Sequence, residues 1–194
     1  MGCLRLLLLL QMMAICVKAE LPGSSLKIEK DFAAIQRDGK VIAFGGGPAA
    51  TIPNSLSNLD GVKAIYSTRY AFAAVKFDNS VVTWGNNDKG GDSSGISLSN
   101  VVAIYSNLAS FAALKDGGSV VTWGDSANGG VSSSVSSSIS SGVTAICATW
   151  NAFPAITTGG GVVSWGTSNE VFRTTSSVSN SISSGVKAIY STRH

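Results

Sequence analysis

Few residues in this chain could carry acid–base or nucleophilic chemistry. The one histidine is His194, so we expect neither a histidine general base nor a histidine-containing zinc site within the body of the fold. Asp38, Asp78 and Asp116 recur between apolar segments, each followed by Gly or Asn. Asp is favoured at such positions because its side chain bonds the local backbone. We therefore assign these carboxylates to turns and predict that the protein is not an enzyme.

Two loops have the composition of ligand-binding loops but lack the deciding residues. Gly45-Gly46-Gly47 is not followed by Lys-Ser/Thr and opens no helix, so it fails the test for a phosphate-binding loop. The segment 86–92 is rich in Asn and Asp, but it lacks the alternation and the final Glu of a calcium-binding EF-hand. The sequence thus predicts no metal and no cofactor.

The N-terminus predicts secretion. Arg5 precedes an apolar run from Leu6 to Val17, which is short for a membrane span, and Val17-Lys18-Ala19 places small residues where signal peptidase cleaves. We expect residues 1–19 to be a signal peptide and 20–194 to be the folded domain, secreted and without a membrane anchor after cleavage. Two of the three cysteines lie in this leader, so the domain keeps only Cys147, expected to be a small buried residue.

Charge argues against nucleic acid as a partner. Removing Arg5 and Lys18 lowers the count of Lys and Arg from 14 to 12, against 11 acidic residues. The domain is then close to neutral and has no basic stripe of the kind that a phosphate backbone requires.

The elements that must position any site form a repeat of about 40 residues. Its centre is a β-hairpin, best seen in residues 111–124, FAALKDGGSVVTWG, where Asp-Gly-Gly offers the positive φ of a two-residue hairpin. The unit occurs four times, and its second strand ends in an aromatic residue followed by Gly. These aromatic residues are Phe44, Trp84, Trp123 and Trp165. Their regular spacing predicts a structural packing role.

A third strand is predicted ahead of most hairpins. It is expected at 62–66, 101–105, 143–147 and 186–190, where Val and Ile alternate with other residues. A three-stranded unit cannot bury both of its faces alone, but units stacked around an axis can. The sequence therefore predicts an all-β propeller with three-stranded blades and four repeats.

This pattern resembles a known superfamily. The repeat is similar to the RCC1 repeat over about residues 28–194. The shared pattern is Ser-Gly-Val-x-Ala-Ile, then a short loop, then x-Ala-Ala-Leu-Lys-Asp-Gly-x-Val-Val-x-Trp-Gly. In repeat length it looks most like the propeller of the secreted β-lactamase-inhibitor protein II type. The resemblance implies a seven-bladed propeller that binds macromolecules through its rim loops. The family's usual Gly and His after the Ala-Ile strand are replaced here, at 67–70, 106–109 and 148–151.

The last repeat is incomplete. Residues 62–69 are identical to residues 186–193, yet no hairpin follows the second copy. Two interpretations stay open: a partial or open propeller, which we favour, or a ring closed by pairing of the C-terminal strand with the N-terminal hairpin, whose own preceding strand, Leu26–Glu29, is short. The chain could also be a fragment of a larger array.

Candidate binding residues lie where the copies differ, in the loops just before the hairpins. Equivalent loops gather on one face of a propeller, and Arg, Tyr and Trp are typical of binding hot spots. The residues are Arg69, Tyr70, Asn107, Leu108, Trp150, Asn151 and Arg193. We expect a secreted, non-enzymatic module that binds an unidentified protein. The alternatives are a lectin-like propeller that stacks a glycan on rim aromatics, and a fragment of a larger RCC1-like propeller with a regulatory function.

Overall fold

The computed structural model describes residues 31–47, 49–56, 58–167 and 181–191. The expected signal peptide, the short strand at 26–29 and Arg193 lie outside these ranges. Within them the chain forms eleven β-strands and four short 3₁₀ helices, at Asn54–Leu56, Asn87–Lys89, Ser126–Asn128 and Ser133–Ile139. The strands are β1 (Asp31–Ile35), β2 (Val41–Gly45), β3 (Val62–Ser67), β4 (Ala71–Lys76), β5 (Val81–Gly85), β6 (Val101–Ser106), β7 (Ser110–Lys115), β8 (Val120–Gly124), β9 (Val143–Ile146), β10 (Ala152–Thr157) and β11 (Val162–Gly166).

The strands form four antiparallel sheets, one per repeat. The described part of blade 1 is the pair β1–β2, and blades 2, 3 and 4 are the triplets β3–β4–β5, β6–β7–β8 and β9–β10–β11. We name the strands of a blade A, B and C in chain order, so that β1 and β2 are strands B and C of blade 1. Strand B is central in each triplet. The all-β prediction with three-stranded blades is confirmed.

The B–C turns differ from the expected two-residue hairpin. In blade 3, Lys115 N–H donates to the Ser119 carbonyl at 2.8 Å and Gly118 N–H to the Lys115 carbonyl at 3.0 Å, which leaves a three-residue loop. The last loop residue has positive φ in every blade: Gly39, Asn79, Gly118 and Gly160. Three-residue loops of this kind combine a type I turn with a left-handed residue. Two of the three predicted Asp side chains hydrogen-bond the turn: Ser80 N–H donates to Asp78 at 2.9 Å and Lys40 N–H donates to Asp38 at 3.1 Å.

Alternation along strand B packs each blade against both neighbours. In β4, Ala71, Ala73 and Val75 pack with blade 3, while Phe72 and Ala74 pack with blade 1. Because side chains alternate between the faces of a strand, one apolar run serves two interfaces. The same arrangement joins blade 3 to blade 4. The long Ser-rich connection at 131–141 packs on this last interface through Val135 and Ile139, whereas Val131 is exposed.

The aromatic residue of strand C links blades. Each stacks on the Phe of its own strand B, with ring centroids 5.1–5.6 Å apart. The indole N–H of Trp84 donates to the Ala49 carbonyl at 3.2 Å, and that of Trp123 donates to the Gly90 carbonyl at 3.1 Å, in each case in the preceding blade. Trp165 is equally buried, but no described residue accepts a hydrogen bond from its Nε1. Phe44 differs from the three tryptophans because its side chain is 53% exposed.

Among the described residues, the stack is open at blade 1. Phe32 and Phe44 lie on the face that in blades 2–4 meets a preceding blade, and Phe32 is 50% exposed. The described residues thus form a partial propeller, as favoured from the sequence, and not a closed ring.

At the other end, residues 186–190 form no strand, although the sequence predicts one. They begin like the other A strands, since Val186 N–H donates to the Gly160 carbonyl at 2.9 Å as Val143 N–H does to the Gly118 carbonyl at 2.9 Å. The physical difference is that no described strand B lies beside them, so there is no ladder to complete.

Candidate functional site

The loops between strands A and B, which we call the AB loops, come together on one face. They are residues 68–70 in blade 2, 107–109 in blade 3 and 147–151 in blade 4, and strands A of neighbouring blades, such as β3 and β6, contact each other. A cleft of about 370 Å³ opens between the loops. Its lining is Ser67, Thr68, Arg69, Ser106, Asn107, Leu108, Ala148, Thr149 and Trp150. Three loops far apart in sequence therefore build one concave surface.

Main-chain hydrogen bonds join these loops directly. Arg69 N–H donates to the Leu108 carbonyl at 3.0 Å, and Leu108 N–H donates to the Trp150 carbonyl at 3.2 Å. This ladder runs from blade to blade across the face. It fixes the spacing of three predicted binding residues without using their side chains.

Within each loop, one polar side chain holds the bend. Thr68 Oγ1 accepts from Ala71 N–H at 3.0 Å, and Thr149 Oγ1 accepts from Ala152 N–H at 3.0 Å. Asn107 does the same in blade 3, where its Oδ1 accepts from Ser110 N–H at 2.9 Å. Such local bonds are typical of Ser, Thr and Asn in turns. The signal lies in the sequence, because each of these residues stands three positions before the first residue of strand B.

Asn107 is therefore part of the scaffold as well as of the lining. It is buried, its Oδ1 also accepts from Ala109 N–H at 3.1 Å, and its Nδ2 donates to the Asn128 carbonyl at 2.5 Å. Both the oxygen and the nitrogen of its amide thus take part in positioning the loop. Asn151 and Tyr70 contribute main-chain support, because their carbonyls accept from Thr167 N–H at 3.1 Å and from Asn86 N–H at 3.0 Å.

The side chains that face solvent at the cleft are chemically mixed. Arg69 is exposed and is the charged residue of the lining. Its guanidinium carbon lies 5.6 Å from the Tyr70 ring centroid, a cation–π distance. Trp150 is 46% exposed, and Leu108 lies between the two along the ladder. An arginine, a tryptophan and a leucine in one concavity can bind apolar surface and an acceptor group together.

Two tyrosines stand next to the cleft at the ends of strands A. Burial raises the pKa of Tyr66, and the nearby Tyr105 raises it further. Burial is also the main cause that raises the pKa of Tyr105. Both phenols are therefore neutral at physiological pH, and they add no charge beside Arg69.

An ion pair joins the connections that follow strands C on the same face. Lys89 of blade 2 contacts the Asp125 carboxylate of blade 3, and Asp125 also accepts from Ala127 N–H at 2.8 Å. The hydrogen bond from Lys89 is the main cause that lowers the pKa of Asp125. The chain segment that contains Lys89, after β5, also contacts the cleft, since Thr68 Oγ1 donates to the Lys89 carbonyl at 3.3 Å.

Other classes of site have little support. Among the described residues, no group of three or more His, Cys, Asp or Glu side chains lies close enough to hold a metal ion. None of the described helices is long and apolar enough to cross a membrane. Arg193, predicted to share the AB-loop position, lies outside the described residues, so the structure places six of the seven predicted binding residues on these three loops.

No protein-family model matches the sequence, and no curated protein matches it. Solved structures do. Prp20p of Saccharomyces cerevisiae, described by its binding to Gsp1p and histones, aligns with a TM-score of 0.51 and 18% identity, over 71% of this chain and 42% of that one. The chain has the fold of RCC1-like propeller repeats.

A second solved structure has a similar fold. The ectodomain of the Physcomitrella patens receptor kinase CR4 aligns with a TM-score of 0.51 and 19% identity, over 70% of this chain and 38% of that one. The chain thus spans about two fifths of the length of these two structures. The finer likeness to the β-lactamase-inhibitor protein II type stays a prediction.

Proposed function

We propose that this chain is a secreted, non-enzymatic binding module that recognises a protein through its AB loops. The observation that carries the proposal is the cleft of about 370 Å³, where three loops are joined by main-chain bonds and display Arg69, Leu108 and Trp150. The loops are joined through their main chains and differ in their side chains, which is the arrangement expected of a recognition surface on a repeat scaffold.

A protein partner fits this chemistry better than a small substrate. An enzyme site needs convergent titratable groups, whereas this lining offers one guanidinium, hydroxyl groups and apolar surface. Arg and Trp are enriched at the centres of protein interfaces. Prp20p, which shares the fold, is a protein that binds other proteins.

An affinity capture tests the proposal. The mature domain is immobilised, proteins from the native secretion are captured, and the bound proteins are identified by mass spectrometry. We expect a partner that is retained by the unmodified domain and lost with Trp150→Ala and Arg69→Ala. Phe77→Ala is the matched control, because Phe77 is 73% exposed but lies in a B–C turn, at the far end of strand B from the AB loops. Equal capture by all four proteins would refute the assignment of the AB loops.

A glycan is the second candidate ligand, favoured by the exposed indole of Trp150 next to hydroxyl groups of the cleft. A glycan array separates the two. If the domain binds a sugar, and this binding is lost in Trp150→Ala but kept in Phe77→Ala, the ligand is a glycan and the proposed protein partner is wrong. A blank array together with a captured protein would support the first proposal.

The third candidate is a regulatory RCC1-like propeller of which this chain is one portion, and its motivation is the coverage of about two fifths of the solved structures. Recovery of the intact transcript tests it, since a longer reading frame with further repeats would favour it. Secretion is tested separately by N-terminal sequencing of the protein from culture medium, and we expect Glu20 as the first residue.

A further inference from the structure

The face of blade 1 that lacks a neighbour among the described residues is the first of two incomplete faces. Phe32 and Phe44 stack on each other at 5.3 Å, and Ile42 beside them is also exposed. The equivalent pair in blade 2, Phe72 and Trp84, is buried against blade 1. Blade 1 therefore presents, in solvent, the same apolar face that every other blade buries against the blade before it.

The second incomplete face lies at the opposite end, beside blade 4. A cleft of about 170 Å³ lies between strands of blade 4 and the C-terminal segment, which we define as residues 186–191. Its lining includes Ile146 and Ile156 on one side and Ala188 and Ile189 on the other. Tyr190 is 92% exposed, whereas Tyr66, its equivalent in β3, packs against the core between blades 2 and 3.

The two faces are complementary in sequence. Residues 62–67 of β3 are repeated without change as residues 186–191. Strand β3 pairs with β4, whose sequence AFAAVK closely matches DFAAI in β1. The C-terminal segment thus carries the strand A that fits a strand B of the β1 type, and β1 has no second strand partner among the described residues.

The observed pairing in blade 2 gives the register of such a junction. There Ser67 lies opposite Phe72, Tyr66 opposite Ala73, and Ile65 opposite Ala74. Transferred to the two ends, Ser191 would lie opposite Phe32 and Tyr190 opposite Ala33. The exposed Phe32–Phe44 pair would then fill the open end of blade 4, as Phe153 and Trp165 fill the interface with blade 3.

We propose that the C-terminal segment of one copy of this chain pairs with β1 of a second copy, head to tail, and completes a blade between them. The open stack favours a second copy over the same chain. The described blades form an open stack in which the C-terminal segment does not pair with β1 of its own chain, so the two ends of one chain do not meet. Two copies with two such junctions close a ring with two-fold symmetry, which removes both open edges.

Sedimentation velocity of the 20–194 domain over a series of micromolar concentrations measures the assembly. We expect a species of twice the chain mass. Tyr190→Asp and Phe32→Asp, at opposite ends, should each raise the dimer dissociation constant at least about tenfold, because each puts a charge in a buried apolar junction. Phe77→Asp is the control at an exposed aromatic residue outside both faces, and it should leave the mass unchanged.

Mixing the two variants tests the head-to-tail geometry. A dimer of one Tyr190→Asp copy with one Phe32→Asp copy retains one intact junction, so the mixture should form dimers at concentrations where each variant alone is a monomer. Circular dichroism of each variant checks that it is folded. The proposal is overturned if the unmodified domain is a monomer at every concentration, whether open or closed on itself. It is also overturned if Tyr190→Asp leaves the dimer intact, or if the folded variants do not complement each other. None of these readouts depends on the AB-loop ligand.

Discussion

Replacement of Trp123 by Phe isolates the hydrogen bond that links blade 3 to blade 2. The indole N–H donates to the Gly90 carbonyl at 3.1 Å, while the ring stacks on Phe111 at 5.1 Å. Phenylalanine keeps an aromatic ring in place but cannot donate. Trp165→Phe is the matched control, since Trp165 is buried in the equivalent place and donates to none of the described residues.

The difference between the two variants carries the prediction. The cost of deleting ring volume is common to both and cancels, and Trp165→Phe also removes a buried N–H that no described residue accepts, which widens the difference in the same direction. What remains for Trp123→Phe is one lost hydrogen bond and a Gly90 carbonyl left unpaired in the interior, together about 1–3 kcal/mol. For a domain of this size the melting temperature should then fall roughly 2–12 °C further in Trp123→Phe than in Trp165→Phe.

Urea denaturation followed by tryptophan fluorescence gives the free energies of unfolding, and calorimetry gives the melting temperatures. Trp84→Phe should behave like Trp123→Phe, because its N–H bonds the Ala49 carbonyl at 3.2 Å. Equal losses in Trp123→Phe and Trp165→Phe would show that the indoles stabilise the stack by packing alone.

Three further predictions concern the turns, an ion pair and an AB loop. Gly118→Ala should destabilise the domain by more than the roughly 1–2 kcal/mol expected for positive φ alone, because the added Cβ would lie 2.7 Å from the Gly142 nitrogen. Gly117→Ala is the control, since Gly117 has a φ of +86° and open space around it. Equal urea midpoints of the two variants would contradict the expectation. The Lys89 partner lowers the pKa of Asp125. The stability that this ion pair contributes is therefore present above the unfolded-state pKa of about 3.9 and is lost as the pH falls through the lower folded-state pKa. In melting curves taken between about pH 5 and pH 2, Asp125→Asn should lose less stability on acidification than the unmodified domain, and parallel pH profiles of the two proteins would count against the ion pair. Asn107→Ala removes three hydrogen bonds of a buried side chain and should cost about 2 kcal/mol in urea denaturation; an unchanged midpoint would show that the AB loop does not depend on this amide.

The repeat was visible in the sequence because both of its physical causes are local. Alternating apolar residues define strands, and an aromatic-Gly pair every 39–42 residues marks the end of each strand C. From these, three of the four expected A strands and all four hairpins are found where the sequence placed them. The stacking of blades follows because strand B is apolar on both faces, which a single sheet could not satisfy.

What the sequence did not reveal depends on partners distant along the chain. The segment 186–191 has the sequence of β3 but no described strand B to pair with, so identical residues form a strand in one place and none in the other. Asn107 was predicted as a binding residue because it varies between repeats, but the tertiary contact with Asn128 that occupies its amide could not be inferred. The cleft itself needs the curvature of the stack, which no single repeat encodes.

The bonds that tie Arg69 to Leu108 and Leu108 to Trp150 have a consequence for how this surface can change over generations. Since only amide and carbonyl groups of the main chain take part, these hydrogen bonds do not depend on the side chains at the same positions. Proline is the one residue type excluded at the donating positions 69 and 108, because it has no backbone N–H. Nearly any combination of residues can therefore be displayed at these positions while the spacing of the loops is preserved. Duplicated repeats supply such positions ready-made, so new specificity can arise by substitution at a few sites without a new fold having to be stabilised.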